Sequence, residues 1–322
     1  MLLGSSVEMS TEVIFPLSGK RVWVAGHRGM VGSAISKRLA REKCELIVAG
    51  REVVNLEQQA AVAAFMAREK TGAIFFGAAK VGGIMDNETR PAEFQYDNSV
   101  IETNIVNSAS KNVVSKLLLL GSNCIYPKLT PQPITEDSLL MGPLEQTNEW
   151  YAIAKIASIN MDQAYHKQCG ADFISAMPTN LYGPSDNFDL NSSHVMPALI
   201  HKAHEAKLAG ADSITIWGTG SPRREFLHAD NCADAWVYLI KPYSAFEHVN
   251  VGYGEDLTIY ELARLVCRVV GFTGSILRDS SKRNGTPRKL LSTEKLRGRG
   301  WATNRPQEEG VYSAYQHFKA AS

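Results

Sequence analysis

The first half of the chain alternates short apolar runs with longer amphipathic stretches. The apolar runs are typical of buried strands, and they read RVWVAG, ELIVAG, AIFF and KLLLLGS. The stretches between them predict helices at about residues 33–42, 57–70 and 91–115. Strands and helices that alternate in this way predict an α/β fold, a doubly wound parallel sheet of the Rossmann type.

The pattern changes near Asn180, where a polar loop, a helix and several shorter elements follow. We therefore predict a Rossmann domain at residues 20–180 and a smaller, interleaved α/β domain at residues 181–322. Segments near residues 225–255 are expected to return to the first domain. Residues 1–19 are predicted to form a poorly ordered N-terminal extension.

Composition narrows the range of partners. The chain has 322 residues, 44% of them hydrophobic, and its 34 basic and 33 acidic side chains give a net charge of +1. This balance predicts neither nucleic-acid binding nor membrane association, and no apolar run approaches the length of a membrane span. The five cysteines are odd in number and lack CxxC spacing, which favours a reducing, cytoplasmic compartment and argues against a metal site.

A glycine-rich turn joins the first predicted strand to the first helix. It reads GHRGMVG, with Gly26, Gly29 and Gly32 spaced three apart. Such a turn lets the backbone approach a pyrophosphate, which the helix N-terminus then faces. We predict a dinucleotide site here, with Met30 and Val31 among its contacts. The alternative is an ordinary glycine-rich turn.

The end of the second strand predicts which dinucleotide binds. A site for NAD usually carries an acidic residue there, but this chain has Arg51, and Arg28 lies in the glycine turn. Two guanidiniums suit a 2′-phosphate, so we predict NADP(H). The alternative is that both are exposed surface charges. Asn55 and Ala79 are expected to contact the cofactor as well.

A serine, a tyrosine and a lysine follow further along the chain. Ser122 ends the strand KLLLLGS, and Tyr151 and Lys155 lie one helical turn apart. A lysine near a tyrosine favours the phenolate, so we expect the pKa of Tyr151 to fall below its usual value of about 10. This set resembles the catalytic residues of short-chain dehydrogenases/reductases, in which the tyrosine exchanges a proton with a ketone or an alcohol.

Longer blocks make the resemblance more specific. Over residues 20–322 the chain closely resembles the GDP-L-fucose synthase family, and the matching blocks are GHRGMVGSA, AAKVGGI, GSNCIYP, NEWYAIAKIA, MPTNLYGPSDNF, SHVMPALI, WGTGSPRREFLH and NGTPRKLL. The resemblance implies that GDP-4-keto-6-deoxy-D-mannose is inverted at carbons 3 and 5 and then reduced at carbon 4 with NADPH. It also implies a homodimer formed through a four-helix bundle.

Inversion requires a further acid and base, and the resemblance implies Cys124 and His194 for these roles. Cys124 lies two positions after Ser122, so on a locally extended chain both side chains would point to the same side. The usual pKa values of a thiol and an imidazole, about 8.5 and 6.5, suit proton exchange near neutral pH. The resemblance assigns Cys124 as base and His194 as acid, a direction that the residues themselves leave open.

The resemblance also implies how the second domain binds the nucleotide sugar. Its cationic contacts to the diphosphate are placed at Arg224 and Lys289, with Arg223 and Arg288 as neighbours. The remaining implied substrate contacts are Asn180, His194, Lys202 and Trp217. Trp217 has two interpretations, since it either packs beside the guanine or fills the core.

Three other functions remain open at this stage. A colitose-forming relative would invert carbon 5 only, and a plain 4-reductase would need neither Cys124 nor His194. A non-catalytic binding protein on the same scaffold would retain the glycine turn and lose the chemistry. The intact Ser122, Tyr151 and Lys155 argue against that third reading.

Overall fold

A computed structural model describes residues 12–190, 192–282, 284–303 and 305–321, with Ile84 described by its backbone alone. The helices are α1 (Met30–Leu39), α2 (Gln59–Glu69), α3 (Ile84–Thr89), α4 (Pro91–Lys111), α5 (Glu149–Cys169), α6 (Val195–Leu208), α7 (Ala229–Leu239), α8 (Ile259–Val270), α9 (Glu294–Arg297) and α10 (Gln307–Ala321). The strands are β1 (Arg21–Ala25), β2 (Glu45–Ile47), β3 (Ala73–Phe76), β4 (Lys116–Leu120), β5 (Phe173–Pro178), β6 (Asn180–Tyr182), β7 (Ser213–Trp217), β8 (Arg223–His228), β9 (Val249–Val251), β10 (Asp256–Thr258), β11 (Ser275–Asp279) and β12 (Arg288–Lys289).

Six parallel strands form the main sheet, in the order β2-β1-β3-β4-β5-β9. Side chains alternate between its two faces, as Val24 and Trp23 of β1 do, and both faces are covered by helices. One face packs against α1 and α7, and the other packs against α2, α4 and α5. The predicted doubly wound parallel sheet is therefore confirmed.

The chain reverses direction across the sheet between β1 and β3. Ligands of open α/β sheets bind at such a point, beyond the carboxyl ends of the strands. Gly26, which follows β1 with φ +93°, lies so close to the loop after β3 that an added Cβ would be 2.7 Å from the Ala78 nitrogen. The glycine turn and this loop therefore form one edge.

Later parts of the chain return to this first unit. Strand β9 pairs with β5, and α7 packs against α1. A still later segment also belongs to the same core, because Leu296 and Trp301 are buried in it. The return thus extends beyond the segments near 225–255 that the sequence pattern indicates.

The second unit has its own core between smaller sheets and three helices. Strand β8 pairs with β6, β10 and β12, and β7 pairs with β11. Helices α6, α8 and α10 supply most of the apolar side chains. Thr258 and Glu261 form a capping box at the start of α8, which fixes where that helix begins.

Part of the predicted N-terminal extension is packed. Residues 1–11 lie outside the described part of the chain, but Leu17 is buried in the core of the first unit. The backbone N–H groups of Ile14 and Phe15 both donate to the Lys241 carbonyl. The expectation of poor order is therefore wrong for residues 14–17. Among the described residues, no helix is both long and apolar enough to cross a membrane.

Candidate active site

The glycine turn forms a backbone cradle at the start of α1. An added Cβ at Gly32 would lie 2.1 Å from the Gly26 carbonyl oxygen, so a side chain there has no room. The N-cap of α1 is Gly29, so no side chain caps this helix. A Cβ added at Gly29 would meet only the Gly26 oxygen, at 3.5 Å. The first N–H groups of α1, including those of Met30 and Val31, are thus available to an anion. The cradle fits a dinucleotide pyrophosphate.

The two arginines beside the cradle are paired with carboxylates. Arg28 forms two hydrogen bonds to Glu52, at 2.6 and 3.1 Å, and Arg51 bonds Glu57 at 2.9 Å. Hydrogen bonding to Arg28 lowers the pKa of Glu52. Both pairs are exposed, and Asn55 forms a local turn by accepting from the Glu57 N–H. A 2′-phosphate would therefore have to replace Glu52 and Glu57 as partner of these guanidiniums.

Ser122 and Cys124 lie in a tight turn at the carboxyl end of β4. The chain is not extended here as predicted, because residues Asn123–Ile125 form a 3-10 helix. Its cause is local: the Ser122 hydroxyl caps this helix by accepting from the Cys124 N–H at 3.3 Å. The thiol still lies near the hydroxyl, and Cys124 is only 3% exposed.

Tyr151 and Lys155 project from α5 into the same region, as their spacing predicts. The Lys155 ammonium lies 5.8 Å from the centre of the Tyr151 ring and donates to the Leu120 carbonyl at 3.1 Å. It also forms an ion pair with Glu102 of α4, at 2.6 Å. Sequence reasoning missed Glu102. An acidic residue on an amphipathic helix is ordinarily solvated, so the pattern gave no sign that this one faces inward.

The expected lowering of the Tyr151 pKa is wrong for the protein without cofactor. Burial raises the pKa of Tyr151 well above its usual value, and the nearby Cys124 and Glu102 add to the rise. An interaction with the Ser122 hydroxyl offsets only part of it. Because Glu102 already compensates the Lys155 charge, the ammonium does not stabilise a phenolate. Tyr151 therefore holds its proton.

The surroundings of Cys124 shift the pKa of its thiol in opposite directions. Burial raises the pKa of its thiol, while the cations Lys289 and Lys155 and the Ser122 hydroxyl act to lower it. Lys289 comes from β12 of the second unit and is half-buried, and desolvation lowers its pKa. The two units therefore meet at this thiol.

His194 lies on a different element, as the N-cap of α6. It follows a loop whose Ser192 carbonyl oxygen would be 3.2 Å from a Cβ added at Gly83, in the loop after β3. The surrounding protein lowers the pKa of His194, although part of the side chain is open to solvent. Among the described residues, no hydrogen bond links His194 to Cys124, so its participation in the site remains a prediction.

The four neighbouring cations of the second unit divide into two kinds. Arg223 and Arg288 both bind Asp256, at 2.8 and 2.5 Å. Arg224 and Lys289 face each other across the β8–β12 pairing, and neither forms an ion pair with any described residue. Burial lowers the pKa of Arg224. This second pair is therefore free to receive an anion.

The remaining predicted substrate residues lie around these cations. Asn180 is the first residue of β6, a strand that the sequence pattern missed, and its amide donates to the Glu225 carbonyl at 2.8 Å. Trp217 is 59% exposed, so the interpretation that it fills the core is wrong. The Lys202 ammonium lies 5.8 Å from the centre of its ring.

A dinucleotide cradle beside Ser122, Tyr151 and Lys155 on a doubly wound sheet defines an extended short-chain dehydrogenase/reductase. Comparison with known proteins agrees. Residues 22–252 match the model of the NAD dependent epimerase/dehydratase family. The chain is 57% identical over 305 residues to a GDP-L-fucose synthase of Sinorhizobium fredii, covering 95% of this chain and 97% of the relative.

Two further relatives help to place the chain. A GDP-L-colitose synthase of Yersinia pseudotuberculosis is 35% identical, over 92% of this chain and 97% of the relative. The structure of a GDP-L-fucose synthetase from Naegleria fowleri bound to NADP superposes with a TM-score of 0.87 at 26% identity, over 97% of both chains. The chain thus belongs to the NAD dependent epimerase/dehydratase family and, within it, to the GDP-L-fucose synthases.

Proposed function

We propose that this protein converts GDP-4-keto-6-deoxy-D-mannose to GDP-L-fucose by inversion at carbons 3 and 5 and reduction at carbon 4. The observation that carries the proposal is the position of the Cys124 thiol. It adjoins Ser122 and lies among the charges of Lys155 and Lys289, beside a complete Ser–Tyr–Lys set. A plain ketoreductase has no use for a thiol there.

Epimerisation needs proton exchange at carbons that flank the ketone. Ser122 and Tyr151 donate hydrogen bonds to the carbon 4 oxygen and stabilise the enolate. Cys124, as its thiolate, takes a proton from carbon. Burial raises the pKa of the thiol, and the charges of Lys289 and Lys155 act against that rise. His194, as its imidazolium, supplies a proton on the opposite face and becomes a neutral imidazole.

Reduction uses the same oxygen contacts. The nicotinamide, when bound, supplies the hydride to carbon 4. Tyr151 then gives its proton to the developing alkoxide, a role that suits a tyrosine whose pKa is raised by burial. Ser122 holds the oxygen throughout, so both half-reactions proceed at one site.

The cofactor is a nicotinamide dinucleotide, and we propose NADP(H) in preference to NAD. Gly26, Gly29, Met30, Val31 and Gly32 hold the pyrophosphate through backbone groups, and Asn55, Ala79 and Lys155 contact the nucleosides. Arg28 and Arg51 flank the adenosine end of the cofactor. Each forms an ion pair with an exposed carboxylate, which a 2′-phosphate can replace.

The nucleotide part of the substrate binds to the second unit. Arg224 and Lys289 receive the diphosphate, and this is supported by their lack of an ion-pair partner among the described residues. Lys202 and the exposed face of Trp217 form the nucleoside end. The amide nitrogen of Asn180 is bound to the Glu225 carbonyl, and its amide oxygen, which accepts from none of the described residues, is left for the sugar.

We also propose a homodimer through α4 and α5. Each helix has 21 residues, and they pack side by side with a hydrogen bond from Tyr165 to Asn107 at 2.9 Å. Light scattering that gave the mass of one chain at micromolar concentration would exclude it. A cytoplasmic location is supported by five cysteines that are all free.

Solvent exchange in heavy water tests the proposed function directly. The protein is incubated with GDP-4-keto-6-deoxy-D-mannose without NADPH, and deuterium at each sugar carbon is read by NMR. We expect uptake at carbons 3 and 5 in the wild type and strong suppression in Cys124→Ser. The control Cys232→Ser alters a buried cysteine of α7, outside the proposed site, and should leave exchange intact.

Other outcomes would redirect the proposal. Uptake at carbon 5 alone would indicate the colitose reaction. An absence of uptake, with NADPH still consumed on addition, would indicate a plain 4-reductase. If the protein neither consumed NADPH nor took up deuterium, that result would contradict both half-reactions.

A further inference from the structure

Glu102 is buried in a place where a carboxylate is costly. It is 1% exposed, and its partner Lys155 is 2% exposed. Replacing a buried ion pair by apolar side chains is often neutral or stabilising, so such a pair is weak evidence for a stabilising role. Its position at the lysine of the reductase set indicates a functional role.

The pair fixes where the Lys155 ammonium points. The ammonium lies 2.6 Å from a carboxylate oxygen of Glu102 on α4, and it donates to the Leu120 carbonyl at the end of β4. In the described part of the chain no third acceptor is present, so one donor is left for a ligand. A carboxylate on one helix and a carbonyl on one strand therefore hold a lysine of a second helix in one orientation.

The surrounding groups decide the charge of this cluster. Cys124 approaches from the turn after β4, Lys289 lies beyond it on β12, and Asp162 lies two turns after Lys155 on α5. Asp162 accepts from the Ser175 hydroxyl at 2.8 Å, and burial raises its pKa well above the usual value. Burial also raises the pKa of Glu102, and the Lys155 charge acts to lower it again. Of the two acids, Glu102 is the one that forms an ion pair with Lys155.

We propose that Glu102 is a positioning residue for the reduction step. Its carboxylate holds the Lys155 ammonium toward the cofactor and compensates its charge, so that Tyr151 enters the reaction as a proton donor instead of a phenolate. This inference rests on the proposed reductase function. It explains how a site with the usual lysine favours protonation of a ketone oxygen.

The pH profile of the reduction step tests the charge effect. In Glu102→Gln the buried ammonium has no carboxylate, so the Tyr151–Lys155 pair loses its first proton at lower pH. The alkaline fall of kcat should therefore move to lower pH, by about one unit. Asp162→Asn is the matched control, because Asp162 is a buried acid of α5 that accepts from Ser175, whereas Lys155 is paired with Glu102, so the profile should be unchanged.

Two readouts are independent of the sugar. First, the Kd for NADPH from fluorescence titration should rise about tenfold in Glu102→Gln, the loss expected when one charge-assisted hydrogen bond is misdirected. Second, the double variant Glu102→Gln/Lys155→Met should melt at a higher temperature than either single variant, since it leaves no uncompensated buried charge. If the wild type binds NADPH but reduces no sugar, the proposed function fails while these readouts still test Glu102.

A wild-type pH profile and a wild-type Kd in Glu102→Gln, with only a lower melting temperature, would overturn the proposal and leave Glu102 as a packing residue. If that variant does not fold, Glu102→Asp replaces it. This variant retains the charge but withdraws the carboxylate by one methylene group. We expect a higher Kd for NADPH and an unchanged alkaline fall of kcat. An unchanged Kd would contradict the positioning role.

Discussion

Two adjacent arginines show how single residues differ in role within one strand. Arg223 is bound to Asp256, whereas Arg224 donates to the Arg223 carbonyl and has no carboxylate within 4 Å among the described residues. Successive residues of a strand face opposite sides, so the two side chains cannot share a ligand. Their sequence, SPRREF, gives no indication of which arginine is free.

This difference predicts unequal effects of two matched substitutions. Arg224→Met should raise the KM for the GDP-sugar about 10- to 100-fold, because a hydrogen bond to a charged group contributes about 1.5–3 kcal/mol. Arg223→Met should change that KM little and lower stability instead, since Asp256 loses one of its two partners. Steady-state kinetics and thermal denaturation of both variants check this. Equal increases in KM would contradict it.

In the turn between β1 and α1, Gly32 and Gly29 have different roles. A Cβ at Gly32 would collide with a backbone oxygen at 2.1 Å, whereas a Cβ at Gly29 would make an ordinary contact at 3.5 Å. Gly32 is needed for the helix to pack on the strand. Gly29 keeps the cradle open for phosphate.

Alanine at each position should separate these roles. Gly32→Ala should lower the free energy of unfolding by about 1–3 kcal/mol, the usual cost of overpacking, even without cofactor. Gly29→Ala should retain its melting temperature and bind NADPH at least about tenfold more weakly, since the added methyl group holds the phosphate off the backbone. Denaturation and fluorescence titration distinguish the two. A stable Gly32→Ala would refute the packing argument.

Local pattern was enough to predict the sheet but not every element. Buried runs such as β3 and β4 are long, apolar and bounded by turns, so their type was clear. The helices α3 and α10 and the strand β6 were missed, because they are short or have mixed polar sequences. The turn at Ser122 was also wrong, since a side-chain cap overrode the extended conformation.

The candidate site shows the same division. Ser122, Tyr151 and Lys155 were placed by spacing along single elements. The pairing of Glu102 with Lys155 joins two helices 53 positions apart in the chain, which no local pattern encodes. The same holds for Glu52, whose bond to Arg28 depends on how two loops meet. Contacts of this kind follow from tertiary packing.

At the scale of the whole molecule, the two units are joined because the chain crosses between them more than once. Asp234 lies on α7, one of the segments that return to the first unit. It accepts from Arg38 of α1 at 2.6 Å and from the Trp301 indole at 2.9 Å, so one carboxylate connects three distant segments. Burial alone would raise the pKa of Asp234, but these hydrogen bonds outweigh it and lower the pKa.

The lowered pKa predicts how stability depends on pH. A carboxyl group with a lowered folded-state pKa stabilises the fold above its unfolded pKa, about 3.9 for Asp, and this contribution is lost as pH falls through the folded value. Asp234→Asn should therefore cost about 1 kcal/mol at neutral pH, a modest figure because the side chain is 47% exposed. The difference from wild type should shrink as the solution is acidified below about pH 4. Urea denaturation of both proteins across that range measures it, and a difference independent of pH would mean that Asp234 stabilises the junction by its shape and not by its charge.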